Sequence, residues 1–334
     1  MGKTDVNIKS WLKNKKRFAD IFNGMCFNGQ QVINPEELID IDKELDFSFY
    51  DKNGEFKFIQ RLQDMAMLWN GIMLRVLLTV EDQDKVHYAM PVRNMVMNSL
   101  SYVDQMRGIW NSIPEDEKKA MMGSAEFFSR FRKDDKLYPV ITLVFYRGDD
   151  WDGNMDLYDM FDLDGIRDNE VMMDVLKKYV PNYHISLFNP HNIDDISVFK
   201  TDLQMLVGVI KCCKDEIKMK DYIFDHQEYF GNLDYESSMV YEQVLNVGRL
   251  IDRSVVKEGE NADMCKAIQD MYNSAKQEGL EQGLEQGLEQ GFEQGLERMS
   301  QLVAMLIKDN KLADLEKAST DPAYRDSLFV EYNL

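Results

Sequence analysis

The sequence predicts an α/β protein: a mixed β-sheet flanked by helices, followed by a helical extension at the C-terminal end. Three observations carry this expectation. A run apolar on both faces, residues 139–146 (PVITLVFY), has the length of a strand buried inside a sheet. Strand-like runs alternate with stretches whose apolar residues recur at helical spacing, as over residues 90–106. From residue 276 to 298 the chain repeats a four-residue Gly-Leu-Glu-Gln unit that no sheet would use.

The elements follow in order. Residues 8–24 read as one amphipathic helix, with Trp11, Leu12, Phe18, Ile21 and Phe22 as its apolar stripe. Ser10 would cap its start and Gly24 its end. Residues 26–41 form a loop with a helix start at Pro35, Glu36 and Glu37. Alternating Phe47, Phe49, Phe56 and Phe58 about Lys52-Asn53-Gly54 predict a hairpin. It leads directly into Asp64, so a small antiparallel meander is expected to carry the next segment. Residues 64–83 form a second hairpin, with Asn70-Gly71 as its turn signal. Pro91 then marks the first turn of a helix whose Val92, Met95, Val96, Leu100 and Val103 should pack on the sheet. A charged helical connection at 112–136 precedes the central strand. Asp149, Asp150 and Asp152 follow it on a loop that lacks the spacing of a calcium-binding hand and reads as solvated. A helix near 169–179, a strand at 183–188 and one long helix over 194–220 come next. The last has Val198, Leu203, Leu206, Val207 and Ile210 as its stripe. Helices continue over 236–275.

In the repeat, a step of four residues overshoots a helical turn by about 40°, so Leu280, Leu284, Leu288, Phe292 and Leu296 form a slowly winding stripe. Each glycine costs about 1 kcal/mol relative to alanine. Such a helix serves either as a semi-flexible spacer or as a stalk for self-association. Residues 299–334 read as a short helical cap.

Composition narrows the function. The chain has 334 residues, enough for one large domain and an appendage. Its longest apolar runs are too short to cross a bilayer, and its first residues are polar, so no membrane association and a cytoplasmic location are expected. Cys26, Cys212, Cys213 and Cys265 have neither CxxC nor zinc-ligand spacing and read as reduced thiols. A net charge of −20 argues against tight, indiscriminate coating of DNA. Two basic clusters remain, each suited to phosphate or simply solvated: Lys9, Lys13, Lys15, Lys16 and Arg17, and Arg130, Arg132, Lys133 and Lys136.

Chemistry concentrates at the second hairpin. Strand alternation puts Glu81, Gln83, Lys85 and His87 on one face, and Asp82 and Asp84 on the other. A two-residue Asn70-Gly71 turn would set Asp64 opposite Leu77 and leave it about 13 Å from Glu81, at roughly 3.3 Å per residue. For the two acids to share a cation, the turn must be wider, for example Asn70 to Met73, or a bulge must pull the strands past one another. Two carboxylates with a polar neighbour suit Mg²⁺, which keeps waters that can be activated for attack on phosphorus. Gln83 would orient that water. The same residues also suit a solvated turn ending a buried strand. His87 is a candidate for metal or water and Arg93 for a phosphate, while Asp20 and Asn23 lie near the inner edge of the first helix's stripe and read as helix-end polar residues. No GxSxG elbow, phosphate-binding glycine loop or HExxH motif competes with this site.

The run VEDQDKVHYAMPVRNM, preceded by QRLQD, resembles the Rpn family of recombination-promoting nucleases and transposase-like proteins. So do WLKNKKRFADIFNGMCFNG, DKLYPVITLVFYRG, FKTDLQMLVGVIK and the Gly-Glu-rich repeat, so that the resemblance covers nearly the whole chain. It implies a restriction-endonuclease-like core of the PD-(D/E)XK type over residues 1–235. A helical segment at 236–275, the repeat at 276–298 and the cap at 299–334 complete the organisation. It also implies a Mg²⁺-dependent DNA endonuclease, with Mn²⁺ as the other suitable ion. Asp64 and Glu81 would be the metal ligands, with Gln83 in the third catalytic position and Asp20 or Asn23 as an added contact from the first helix. The wider superfamily has lysine where this chain has Gln83; an amide orients water but brings no charge, and Lys85 is the nearby residue that would compensate. The repeat would support a homo-oligomer. The alternative is a decayed nuclease core that acts as an assembly module through its repeat.

Overall fold

The hairpin that carries the acidic residues lies inside a five-stranded mixed sheet. The computed structural model describes residues 5–41, 44–50, 56–62, 64–72, 74–166, 168–245 and 261–334. They fall into two units, Met1–Met264 and Cys265–Leu334.

In chain order the first unit carries α1 (Asp5–Leu12), α2 (Lys15–Phe27), β1 (Leu38–Asp40), β2 (Glu44–Tyr50), β3 (Phe56–Leu62), β4 (Met65–Asn70) and β5 (Arg75–Gln83). Then come α3 (Met90–Ser112), α4 (Glu115–Ala120), α5 (Ala125–Ser129), β6 (Val140–Tyr146), α6 (Glu170–Tyr179) and β7 (Ser186–Phe188). Helices α7 (Leu203–Cys212), α8 (Glu216–Asp225), α9 (Gln227–Phe230) and α10 (Tyr235–Val244) complete it. The sheet order is β1-β4-β5-β6-β7. Its first two pairings are antiparallel and its last two parallel. A parallel β5–β6 pair needs a long crossover, which α3, α4 and α5 provide. Val76 to Asp82 of β5 and Leu143 to Tyr146 of β6 are buried, as interior strands covered on both faces must be.

Several expectations change. The hairpin around residues 47–58 forms as β2 and β3, but these make a separate two-stranded sheet. Its Lys52-Asn53-Gly54 turn lies outside the described residues. The place beside β4 goes instead to β1, where Leu38 pairs with Trp69 and the Trp69 indole donates to Glu37. The single helix over 8–24 is two helices, because the Asn14 side chain accepts from the Lys16 amide and starts α2 afresh. Gly24 is not a cap; it sits inside α2 against Phe199, where a Cβ would come within 2.4 Å of the ring. Asn28, at φ 50°, closes the helix in the left-handed conformation. The long helix over 194–220 is likewise interrupted, and α8 restarts where the Asp215 carboxylate accepts from the Lys218 amide. Leu203, Leu206, Val207 and Ile210 are buried as expected.

The most informative change concerns α3. Its buried face is not the apolar stripe but Met90, Asn94, Met97, Asn98 and Ser101, while Val96 is exposed. The reason lies across the interface, where β5 and β6 present Thr79, Glu81 and Thr142. Thr79 and Thr142 share a hydrogen bond of 2.7 Å between their hydroxyls. The Thr142 hydroxyl donates to Asn98 at 2.7 Å, and the Asn98 amide donates to the Tyr183 hydroxyl. Buried polar groups demand polar partners, and here that requirement outweighs the apolar stripe in setting the rotation of the helix.

The second unit contains α11 (Met264–Lys308) from its second residue on, α12 (Leu312–Thr320) and α13 (Pro322–Glu331). Its small core joins Leu302 and Leu306 to Ala318 and Leu328. Arg298 stacks over Phe329 at 4.6 Å and donates to the Leu334 carbonyl, closing the cap. Over the repeat the helix is continuous, yet Leu280, Leu284, Leu288, Phe292 and Leu296 are 54–69% exposed. Nothing lies within 4 Å of a Cβ placed on any glycine from Gly279 to Gly295. Among the described residues no helix is long and apolar enough to cross a membrane.

Candidate active site at the ends of β4 and β5

The register between β4 and β5 decides whether the acids meet. Asn70 pairs with Arg75 and Met65 with Val80, so the loop runs from residue 71 to 74 and is two residues longer than the Asn70-Gly71 turn. Continuing that register by one residue sets Asp64 opposite Glu81. The Asp64 carboxylate stands where the backbone acceptors of β4 end, and its Oδ2 accepts the Asp82 N–H at 3.0 Å. Its Oδ1 receives the Lys9 Nζ of α1 at 2.8 Å.

Glu81 lies on the α3 side of β5 and is 1% exposed. The Arg93 Nη2 donates to its Oε2 at 3.0 Å, while its Oε1 is buried without a hydrogen-bond partner. The same holds for His87 Nδ1, Arg93 Nε and Asn94 Oδ1 at the start of α3. Burial, reinforced by the charge of Asp64, pushes the Glu81 carboxyl up to about 7. The Arg93 ion pair and the Asp64 backbone N–H oppose that shift without cancelling it. Glu81 is therefore a carboxyl poised to change protonation near neutrality, with one oxygen still able to accept a bond.

Asp82, on the opposite face, is spoken for. Both of its oxygens engage Arg147, at 2.8 Å to Nε and 3.2 Å to Nη2. Burial raises the Asp82 pKa, and the Arg147 charge only partly offsets this. Removing the cation would strand a buried charge, so Arg147→Met is expected to cost about 3–5 kcal/mol of stability at pH 8. Less should be lost at pH 4, because burial raises the Asp82 pKa and eases the uptake of a proton. Urea melts at the two pH values measure the difference.

Gln83 ends β5 on the Glu81 face, half-buried, with its carbonyl accepting the Arg147 N–H at 2.9 Å. Lys85 lies beyond the strand and is exposed. Asp20 and Asn23 are placed elsewhere than the acidic pair. Asp20, 1% exposed, accepts from the Lys200 and Thr201 amides and from the Thr201 hydroxyl, which ties α2 to the start of α7. Asn23 receives the Val32 and Ile33 amides and donates to the Ile33 carbonyl. Of the first basic cluster, Lys9 holds Asp64, and Arg17 forms a two-pronged pair with Asp202 over the Trp11 ring. In the acidic loop, Asp149 pairs with Lys214 and Asp152 accepts from Tyr88.

Sequence reasoning missed the partners Lys9 and Arg147 and the asparagines that line the site. One signal was available for the asparagines: Asn94 and Asn98 stand four apart on a helix, opposite Thr79 and Glu81 two apart on a strand. Among the described residues no group of three His, Cys, Asp or Glu is placed to hold a metal ion, so the acidic pair has no third such side chain beside it. No family model, no curated protein and no solved structure matches the chain.

Proposed function

We propose that this chain is a Mg²⁺-dependent, cytoplasmic DNA endonuclease of the PD-(D/E)XK type, as its resemblance to the recombination-promoting nucleases implies. The observation that carries the reading is Glu81: a buried carboxyl with one unpartnered oxygen, across the strand ends from Asp64. The mixed sheet, with its antiparallel β4–β5 pair feeding a helical crossover to a parallel β6, supports a restriction-endonuclease-like core.

Two carboxylates fit Mg²⁺, which commonly takes only one or two from the protein and fills its shell with water and substrate phosphate. Asp64 and Glu81 would hold it, or Mn²⁺ in its place. The ion supplies a water acidic enough to attack phosphorus and charge to stabilise the product oxygens. Gln83 orients the attacking water through its amide. Lys9 and Arg93 now neutralise the two acids, and both are within reach of a phosphate that approaches them. Ionisation of Glu81 completes the site, so activity should rise with pH through about 7.

Nicking of supercoiled plasmid with Mg²⁺, Mn²⁺ or EDTA tests the reading. Metal-dependent nicking that disappears in both Asp64→Asn and Glu81→Gln is expected. Cleavage by both variants at the parental rate would sink it.

A second reading is favoured by one feature, the exposed stripe of the repeat: an assembly module built on a second copy of the chain. Along a helix, residues four apart form a ridge, and here a leucine ridge lies beside a row of glycines that acts as a deep groove. Such a surface complements itself. Sedimentation at micromolar concentration should show a dimer or larger species that Leu284→Glu with Leu288→Glu converts to monomer. A monomeric parent would remove this reading.

A further inference from the structure

Beyond the acidic site, the end of α3 and the two short helices after it build a surface of a different kind. A cavity of about 730 Å³ there is lined by Trp110, Phe127, Phe128, Lys118, Lys119 and Arg130, among others. Trp110 and Phe127 meet edge to face, 5.8 Å between ring centres at 71°, and form its floor. Phe128 stands beside them 93% exposed, with Met122 67% exposed nearby. Lys118 lies 5.7 Å over the Trp110 ring and pairs with Glu115. Lys119 and Arg130 form no ion pair with any carboxylate among the described residues. Arg130 also closes α5 in the left-handed conformation, at φ 54°, where glycine or asparagine would sit with less strain.

An exposed phenyl ring is costly to leave in water, and the cavity beside it carries Lys118, Lys119 and Arg130 against one carboxylate, Glu115, in a chain whose net charge is −20. We infer that this cavity is a binding site for unpaired nucleic acid, with Phe128 and Trp110 stacking on bases and Lys119 and Arg130 holding the adjoining phosphates. The geometry favours a single strand over a duplex. Aromatic faces stack on bases that are free of partners, whereas the bases of a duplex are enclosed by their own stack. Choosing nucleic acid as the polyanion rests on the nuclease reading. The consequence would be a preference for DNA with an unpaired segment, set by a surface that takes no part in hydrolysis.

The test is fluorescence anisotropy of a labelled thymidine oligonucleotide of about ten residues, in EDTA, with the full chain. Parent protein, Phe128→Ala and Lys119→Glu are compared, with the matching duplex and anionic phosphatidylserine vesicles as separate titrants. All these side chains are exposed, so the melting temperatures should be unchanged. The parent should bind the single strand more tightly than the duplex. Phe128→Ala should lose about five- to a hundredfold in affinity, and Lys119→Glu should weaken binding and flatten its salt dependence. Absence of single-strand binding by the parent, equal affinity of parent and Phe128→Ala, or binding of vesicles in place of the oligonucleotide would each overturn the inference. Because the binding assay contains no metal, a parent that binds the single strand as described yet nicks no plasmid with Mg²⁺ or Mn²⁺ would sink the catalytic reading and leave the binding site standing.

Discussion

Glu81→Gln is expected to cut metal-dependent nicking by on the order of a hundredfold or more, and at the same time to make the protein more stable above neutral pH. The second effect follows from linkage. The Glu81 carboxyl rises from an ordinary 4.5 to about 7 in the fold. Below pH 4.5 both folded and unfolded chains keep its proton, and it contributes no difference. Between 4.5 and about 7 the unfolded chain releases the proton while the folded one retains it, so stability falls as pH rises. Above 7 both are ionised and the full penalty applies, up to about 3 kcal/mol at roughly 1.4 kcal/mol per pH unit. Glutamine has the same shape and no charge, so it removes that penalty. By scanning calorimetry the variant should melt several degrees above the parent at pH 8 and together with it at pH 4. A residue kept only for structure would not become a liability when ionised; a site that needs a charge in a buried place would. Should Glu81→Gln melt below the parent at pH 8, the Arg93 ion pair outweighs burial and the balance described for Glu81 is wrong.

Asp20→Ala should lose about 3–5 kcal/mol of stability, as much as Arg147→Met at pH 8. Its carboxylate accepts the Lys200 N–H at 2.8 and 2.9 Å, the Thr201 N–H at 2.7 Å and the Thr201 hydroxyl at 2.6 Å. Truncation leaves those donors unpaired at a position only 1% exposed, and frees the turn that leads into α7. The same experiment separates two roles that the sequence left open. As an anchor between helices, Asp20 should lower the urea midpoint when truncated and leave divalent-cation affinity unchanged in the protein that remains folded. As a metal ligand it would do the reverse.

How far the site could be read in advance depended on which physical rule governed each part. Strand alternation assigned Glu81 and Gln83 to one face and Asp82 to the other. That assignment survives because the longer loop moves the partner of Asp64 from residue 77 to 81, an even step that keeps every face. The distance along the strands does not survive, since no local signal in residues 71–74 announces the extra loop length. Helix α3 shows the opposite failure. Apolar periodicity pointed to Val92, Met95, Val96, Leu100 and Val103, but the helix turns Asn98 inward, where it accepts from Thr142, and buries Asn94 beside it. A rule that buries apolar groups cannot see a seam whose first requirement is hydrogen bonding. For Asp20 and Asn23 the sequence left two roles open, a contact to the site or a polar residue at a helix end. Both side chains bond to backbone amides, because a buried acid or amide at a helix end anchors such groups as readily as it holds a cation.

As a nuclease of the proposed type, the protein would hold one divalent cation between Asp64 and Glu81. Titration of the full chain with Mn²⁺, following the resonance of the free ion by electron paramagnetic resonance at pH 8 without DNA, tests it directly. One saturable Mn²⁺ site per chain is expected, displaced by Mg²⁺ and lost in both Asp64→Asn and Glu81→Gln. Binding of the same stoichiometry and affinity in parent and both variants would contradict it.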